Sequence, residues 1–209
     1  IGGGWSQSEI HDYFRPSLGK YVLQQACFDA KSLIDQGANI IVSVNISAVQ
    51  FREESFLQMV QESLQVSGLK SCFLELEITE GVLAKNIQRT QQLLSSLRAL
   101  GVRIALDDFG TGYSSLTYLK SFPLDVLKID QGFVRDMLID KSDAVIVDAI
   151  VRISQAFELE LVAEGVETLE QVSALQSLGC RIMQGYLYSK PIAYEDFVAL
   201  LHSGRFGFK

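Results

Sequence analysis

Short apolar runs alternate along the chain with longer amphipathic segments. Six runs predict strands: NIIVSVN (39–45), CFLELEI (72–78), VRIALD (102–107), DVLKI (125–129), LELVAE (159–164) and RIMQG (181–185). Apolar positions at helical spacing predict helices at about 17–36, 54–67, 81–99, 142–157, 168–178 and 194–203. This alternation of strand and helix predicts a parallel sheet covered by helices.

Helix-ending signals support these boundaries. A glycine follows the helical pattern, where a left-handed residue ends a helix, at Gly37, Gly68, Gly101 and Gly179. Thr168 and Gln171 have the spacing of a capping box and predict a helix start.

A polar side chain is the last or next-to-last residue of every predicted strand. In chain order these residues are Asn45, Glu77, Asp107, Lys128, Glu164 and Gln184. A strand buried on both faces carries a charge only where that charge is paired or bound to a metal. The strand ends of a parallel barrel converge in one mouth, whereas an open doubly wound sheet joins only two or three at its switch point. The series therefore favours a barrel, although any one of these residues by itself could cap a helix or lie on a solvated rim.

Asp107 and Asp108 stand side by side in the segment DDFGTG. Two adjacent carboxylates repel, and a turn needs only one Asp or Asn to bond its own backbone. Successive strand residues point to opposite faces, so both can reach one site only where the strand is ending. Gly110 and Gly112 allow such a break. For this segment alone, a strand followed by an Asx turn is the alternative.

The composition limits the class of protein. The chain has 209 residues, 48% of them hydrophobic, so residues 1–209 are expected to form a single domain with one core. The net charge of −7 gives no footprint for nucleic acid or an anionic membrane, so neither DNA nor direct membrane contact is expected. No apolar run of about 18 residues or signal peptide occurs, and three dispersed cysteines fit a reducing compartment. We expect a cytoplasmic domain, which other parts of a longer protein could anchor to a membrane.

The residue types also limit the chemistry. The two histidines, His11 and His202, lie near opposite ends of the chain, so Ser/His/Asp and Cys/His schemes lack a base. A metal must be held mostly by oxygen ligands, which favours Mg²⁺, Mn²⁺ or Ca²⁺ over zinc. Lys128 raises the alternative of a Schiff-base enzyme, but that chemistry needs an apolar pocket, and a ring of carboxylates raises the pKa of a lysine.

Five ordered motifs span about Pro16 to Leu201: VNISAVQF (44–51), LELEITE (74–80), ALDDFGTGYSSLTYLKSFPLDVLKID (105–130), LVAEGVET (161–168) and GCRIMQGYLYSKP (179–191). Together they resemble the EAL domain family, bacterial phosphodiesterases that hydrolyse cyclic di-GMP to linear pGpG. The resemblance implies an α/β fold of the TIM-like (β/α)8 type, with a catalytic site that uses Mg²⁺ or Mn²⁺, two ions in all.

The resemblance also implies roles for the strand-end residues. Asn45, Glu77 and Asp107 resemble ligands of the first metal ion, and Asp108 faces the second ion or its waters. Lys128 resembles the lysine that orients a water or counters charge near the metals, and Glu164 resembles the general base.

Three further residues match positions around that site. Glu167 and Gln184 resemble groups that meet the substrate, and Glu80 resembles the glutamate that holds the DFGTGYSS loop in place. Family members often form dimers through that loop and the next helix, here residues 108–120, and often carry sensory or GGDEF domains beside the barrel.

The Glu-Ala-Leu motif that gives the family its name is not in this sequence. In the family, this motif lies on the first strand, supplies a metal ligand and precedes an arginine that meets the substrate. The chain opens instead with IGGGWSQSEIHDYFRPSLG, whose first sixteen residues hint at the family's segment between the first strand and the first helix but have no firm register. We therefore expect a barrel without its first strand. A degenerate domain that binds cyclic di-GMP or a partner protein without cleavage remains the alternative function.

Overall fold

The six predicted strands form one parallel sheet in the computed structural model, which describes residues 7–83, 86–110 and 116–203. Within these residues the order is β1-β2-β3-β4-β5-β6, and every neighbouring pair is parallel. The strands are Val42–Asn45 (β1), Leu74–Thr79 (β2), Arg103–Phe109 (β3), Val126–Ile129 (β4), Glu160–Ala163 (β5) and Ile182–Met183 (β6).

Helices follow the strands, as strand–helix alternation requires. The described helices are Gln7–Asp35 (α1), Ala48–Arg52 (α2), Phe56–Ser67 (α3), Glu80–Leu83 (α4), Ile87–Ala99 (α5), Leu116–Ser121 (α6), Gln131–Asp136 (α7), Lys141–Ala156 (α8), Leu169–Leu178 (α9) and Tyr194–His202 (α10), with a 3₁₀ turn at Ser71–Phe73. Gly68 and Gly179 are left-handed C-caps, and Thr168 with Gln171 forms the expected capping box. Within the described parts of the chain, no helix is both long and apolar enough to span a bilayer.

The predicted helix 81–99 is wrong at its start. The structure has a short helix from Glu80 to Leu83 and a second from Ile87 to Ala99. Asn86 is the N-cap of the second helix: its φ is 57°, and its side chain accepts a hydrogen bond from the Arg89 N–H. Asparagine tolerates the left-handed region and satisfies a helix-start donor, so local chemistry at one residue overrides the apolar periodicity.

The sheet curls into a half-barrel. Lys128 on β4 contacts Glu77 on β2 at 2.8 Å, across the intervening strand β3. Arg103 on β3 likewise reaches Glu160 on β5 at 2.7 Å. Residues of both β1 and β6 line a single cavity of about 400 Å³ that lies between these two edges of the sheet. The predicted α/β fold of the TIM-like type is therefore confirmed, with six parallel strands curled into a half-barrel in the described residues.

The apolar faces of the helices close the outside of this half-barrel. Fully buried side chains come from the strands and from the helical stripes that the periodicity predicted, among them Leu23, Phe56, Leu76, Leu94, Leu97, Ile104, Leu127 and Val147. Burial of such side chains is the main favourable term in folding, so the helices that carry them hold the strand ends in place.

An ion-pair network crosses the opposite end of the sheet from the predicted site. The Arg103 guanidinium binds Glu75 at 3.1 Å and Glu160 at 2.7 Å, and the Ser43 hydroxyl donates to Glu75 at 2.8 Å. Glu75 is buried, whereas Glu160 is exposed. The network thereby connects β1, β2, β3 and β5 through side chains that face the inside of the sheet.

Removing the arginine of this network is expected to destabilise the fold. Arg103→Met leaves the buried Glu75 carboxylate without its cation, and after allowance for partial solvent exposure we expect a loss of about 2 kcal/mol in unfolding free energy. Urea unfolding measures this loss. Arg152→Met is the control, because Arg152 pairs only with Asp148 on an exposed face of α8. Equal loss in both variants would contradict a special role for the interior pair.

Candidate active site

The predicted strand-end residues meet at one end of the sheet, around Lys128. The ammonium of this lysine lies 2.8 Å from Glu77 Oε1 and 3.4 Å from Asp107 Oδ1, and it also pairs with Glu164. Its side chain is only 3% exposed, so the three ion pairs are largely removed from water. Glu77 and Glu164 are 87 positions apart in the chain, yet both bind the Lys128 ammonium. They meet there because their parallel strands end at the same edge of the sheet.

A β-bulge brings the two adjacent aspartates to the same site. Leu106 of β3 pairs with Leu127 of β4, and the next pair is Phe109 with Ile129. Two residues of β3 therefore lie opposite the single residue Lys128 of β4, so β3 has one extra residue at this point. Asp108 has a φ of 55°, and its N–H donates to Asp107 Oδ1 at 3.0 Å. The prediction that the strand ends at Asp107 is wrong: the strand continues to Phe109. The bulge breaks the alternation of side chains that would otherwise separate the two carboxylates.

Three carboxylates are close enough to bind a cation together. One oxygen each of Asp107, Asp108 and Glu164 lies within 4.8 Å of the others. Carboxylate oxygens are the ligands that Mg²⁺ and Mn²⁺ prefer. The donor set therefore fits the predicted oxygen-liganded metal, and Glu77 lies beside it through its pairing with Lys128.

The electrostatics of the site favour added positive charge. Burial raises the pKa of Glu164, and Asp107 and Glu77 add to this effect, while the bond to Lys128 opposes it. Burial likewise raises the pKa of Glu77, and the hydrogen bond to Lys128 and the charge of Lys128 oppose this effect. The pKa of Asp108 is raised by burial and by the charges of Asp107 and Asp130. The protein groups taken together therefore raise the pKa of Glu164, and only added positive charge would lower it.

Lys128 is held in its charged form. Burial by itself would lower the pKa of the ammonium, but hydrogen bonds and charge from Glu164 and Glu77 outweigh burial and raise it above the ordinary lysine value. A Schiff-base lysine must lose its proton to act as a nucleophile. The ion pairs of Lys128 therefore argue against the Schiff-base alternative, because they keep its ammonium protonated.

Gln184 extends the site towards an open cavity. Its side-chain amide donates to Glu164 Oε1 at 2.8 Å. Glu164, Glu167 and Gln184 all line this cavity of about 530 Å³, together with Tyr186 and other residues of the segment after β6. Glu167 is exposed there and is not among the described carboxylates that could bind a cation together. A cleft of this volume is within the usual range for small-molecule sites.

Asn45 and Glu80 lie at the margin of the cluster. Asn45 pairs in register with Glu77 at the end of β1, so it is on the same edge, with an exposed side chain. Glu80 begins α4 directly after β2. Its predicted contact with the DFGTGYSS loop involves residues 111–115, which lie outside the described residues, so this role stays a prediction.

Asp130 is a site residue that the sequence reasoning missed. It follows β4 two positions after Lys128, and its side chain hydrogen-bonds with that of Asp108. The same carboxylate caps α7 by accepting the Gly132 N–H at 2.8 Å. Its place one residue after the predicted strand DVLKI (125–129) could have indicated Asp130, but a helix-capping aspartate gives the same sequence signal.

The chain matches known proteins over most of its length. The EAL domain family matches residues 11–191. The cyclic di-GMP phosphodiesterase NbdA of Pseudomonas aeruginosa is 43% identical over 190 residues, which make up 90% of this chain and 24% of NbdA. The chain thus spans about a quarter of the length of that relative.

Solved structures of this family have the same fold. The phosphodiesterase PaMucR in its c-di-GMP complex superposes with a TM-score of 0.84 at 41% identity, over 87% of this chain and 74% of that chain. The manganese/cy-diGMP complex of Klebsiella pneumoniae BlrP1 superposes with a TM-score of 0.78 at 31% identity, over 87% of this chain and 46% of that chain. The sequence match and the half-barrel agree, and the chain therefore belongs to the EAL domain family.

Proposed function

We propose that this chain is the catalytic domain of a phosphodiesterase that hydrolyses cyclic di-GMP to linear pGpG. The observation that carries the proposal is the cluster of Asp107, Asp108 and Glu164 within 4.8 Å of one another, beside a buried lysine at the ends of parallel strands. The relatives named for this activity, and solved complexes with the same dinucleotide, support it.

The acidic cluster would hold two divalent ions, Mg²⁺ or Mn²⁺. The bulge that brings Asp107 and Asp108 together supports this role, with Glu77 and Asn45 at the neighbouring strand ends. When bound, such ions activate a water and stabilise the attacking and leaving oxygens of the phosphodiester. They also offset the repulsion between the carboxylates and a doubly anionic ligand.

Glu164 is the proposed general base. Its carboxylate accepts the proton of the attacking water, and the bonds from Lys128 and Gln184 to Oε1 fix its orientation. Lys128 keeps Glu77, Asp107 and Glu164 together by balancing part of their charge. Its raised pKa means that it acts as a cation and not as a proton acceptor.

The cavity beside Glu164 is the proposed site for part of the dinucleotide. Glu167 and Gln184 lie on its wall, where they can meet substrate polar groups. Tyr186 is 57% exposed and also lines the cavity, with the Lys190 ammonium 5.7 Å from its ring centre. An exposed aromatic face is a suitable stacking surface for a base.

The test is an assay of the purified full-length protein with cyclic di-GMP. We expect pGpG to form in the presence of Mg²⁺ or Mn²⁺ and its formation to stop when EDTA removes the ions. Chromatography of the products and calorimetry of ligand binding separate the two functions considered. Binding without cleavage at any metal concentration would instead support a degenerate receptor domain.

The remaining partners stay proposals. The chain covers 24% of NbdA, which is compatible with flanking sensory or GGDEF domains in the full-length protein. A homodimer through residues 108–120 depends in part on residues 111–115, outside the described residues. A single domain over residues 1–209 and a cytoplasmic location stay proposals from the composition, and a Glu80 anchor for the loop stays a proposal from the resemblance.

A further inference from the structure

The buried polar side chain of Gln171 joins two backbone segments near the site. Gln171 is the third residue of α9 and only 5% exposed. Its side-chain oxygen accepts the N–H groups of Glu167 at 2.8 Å and Thr168 at 3.0 Å. Its side-chain nitrogen donates to the backbone carbonyl of Val134 at 3.1 Å. One amide thus satisfies three backbone groups, where an unmet buried group would be costly.

The two ends of this bridge belong to segments that follow two different strands. Glu167 and Thr168 lie in the segment that follows β5, which carries Glu164. Val134 lies in α7, which directly follows the β4 segment with Lys128 and Asp130. The capping box alone requires only the two bonds between Thr168 and Gln171. The bond to Val134 is an additional contact that connects the segment with Glu164 to the segment with Lys128.

The segment of residues 164–168 is packed tightly on two sides. A Cβ added at Gly165 would lie 2.5 Å from Gln131 Cβ, so the segment lies directly against the start of α7. On its other side, Val166 accepts the Leu187 N–H at 3.0 Å and donates to the Gln184 carbonyl at 3.0 Å. The position of Glu164 therefore depends on how this short segment is held between α7 and the β6 loop.

We propose that Gln171 is a positioning residue that sets Glu164 and Glu167 relative to Lys128 and the two aspartates. This inference rests on the proposed function of the same site. Gln171 does not itself line the cavity, and its side chain binds backbone groups of Glu167, Thr168 and Val134, so its effect is transmitted through the backbone of residues 164–168 and α7. Loss of the bridge frees that segment to move away from α7 and separates Glu164 from the other cation-binding oxygens.

Two variants of the full-length protein separate the bridge from the helix cap. Gln171→Glu keeps a side-chain oxygen for the Glu167 and Thr168 N–H groups but loses the donor to Val134. Thr168→Ala keeps Gln171 and its bridge but removes the hydroxyl that accepts the Gln171 N–H at 3.2 Å. Thr168→Ala is the matched control, because it weakens the start of α9 alone. Gln171→Met has a similar size without added charge and replaces the glutamate variant if that variant does not fold.

Mn²⁺ affinity by calorimetry is the main measurement, since it needs no turnover. We expect Gln171→Glu to weaken Mn²⁺ binding by about tenfold, the range seen when supports of metal ligands are lost. The kcat for cyclic di-GMP should fall by a similar factor, with a smaller change in KM. Thr168→Ala should lower the melting temperature but leave both Mn²⁺ affinity and kcat near wild type.

The outcomes distinguish this inference from the proposed function. If the wild-type protein binds Mn²⁺ but does not cleave cyclic di-GMP, the phosphodiesterase proposal fails and the series of Mn²⁺ affinities still decides the role of Gln171. Equal Mn²⁺ affinity in the Gln171 variant and the Thr168 variant would overturn the positioning role. Absence of Mn²⁺ binding in the wild type would overturn both proposals.

Discussion

Glu164→Gln is expected to lower kcat for cyclic di-GMP cleavage by about 10²–10⁴-fold, the usual contribution of a general base. Glutamine has the same shape and keeps an oxygen for the bonds from Lys128 and Gln184. It cannot take the proton of the attacking water. Because the ligand is held mainly by metals and neighbouring groups, its Kd should stay within about tenfold of wild type.

Steady-state kinetics and calorimetry on the full-length protein at saturating Mg²⁺ measure these two effects. Glu160→Gln is the matched control: Glu160 begins β5, at the end opposite to Glu164, and pairs with Arg103. The control should cleave at the wild-type rate. A near-wild-type rate in Glu164→Gln would show that another group is the base.

Asp107→Asn is expected to lose metal binding and turnover together. The carboxylate is buried, belongs to the group of oxygens within 4.8 Å and also pairs with Lys128. The amide keeps the shape but removes the negative charge that attracts a divalent ion. We expect Mn²⁺ affinity to fall at least about a hundredfold, because loss of residues that merely support ligands already costs 10- to 100-fold.

Calorimetry with Mn²⁺, followed by the cleavage assay, tests this second prediction. Asp125→Asn is the control, because Asp125 lies just before β4, where it accepts the Ile104 N–H at 3.0 Å and pairs with Arg98. It should bind Mn²⁺ as the wild type does. Unchanged Mn²⁺ affinity in Asp107→Asn would remove Asp107 from the metal site, whatever the effect on cleavage.

The two variants should also differ from one another. Glu164→Gln should separate binding from turnover, since it removes a group needed mainly in the transition state. Asp107→Asn should affect both, since the ions also hold the dinucleotide. A loss of Mn²⁺ affinity in Glu164→Gln as large as that in Asp107→Asn would mean that Glu164 is chiefly a metal ligand and not the base.

The sequence by itself determined the six strands and the longer helices, their parallel arrangement and the edge on which the site lies. Apolar runs and helical periodicity are local signals, so β1 to β6 and the caps at Gly68, Gly179 and Thr168 agree with the structure. Polar residues at successive strand ends indicated a common mouth, because parallel strands end at the same edge. The family motifs added proposed roles for residues at that edge.

Only the tertiary structure decided which of these side chains meet. The bulge that brings Asp107 and Asp108 together depends on the pairing of β3 with β4, which no local pattern specifies. The contact of Lys128 with Glu77 depends on the curl of the sheet across β3. The bridge from Gln171 to Val134 looks in sequence like an ordinary capping box. Register, curvature and backbone contacts join residues that are distant in the chain, whereas sequence patterns report only the period and ends of each element.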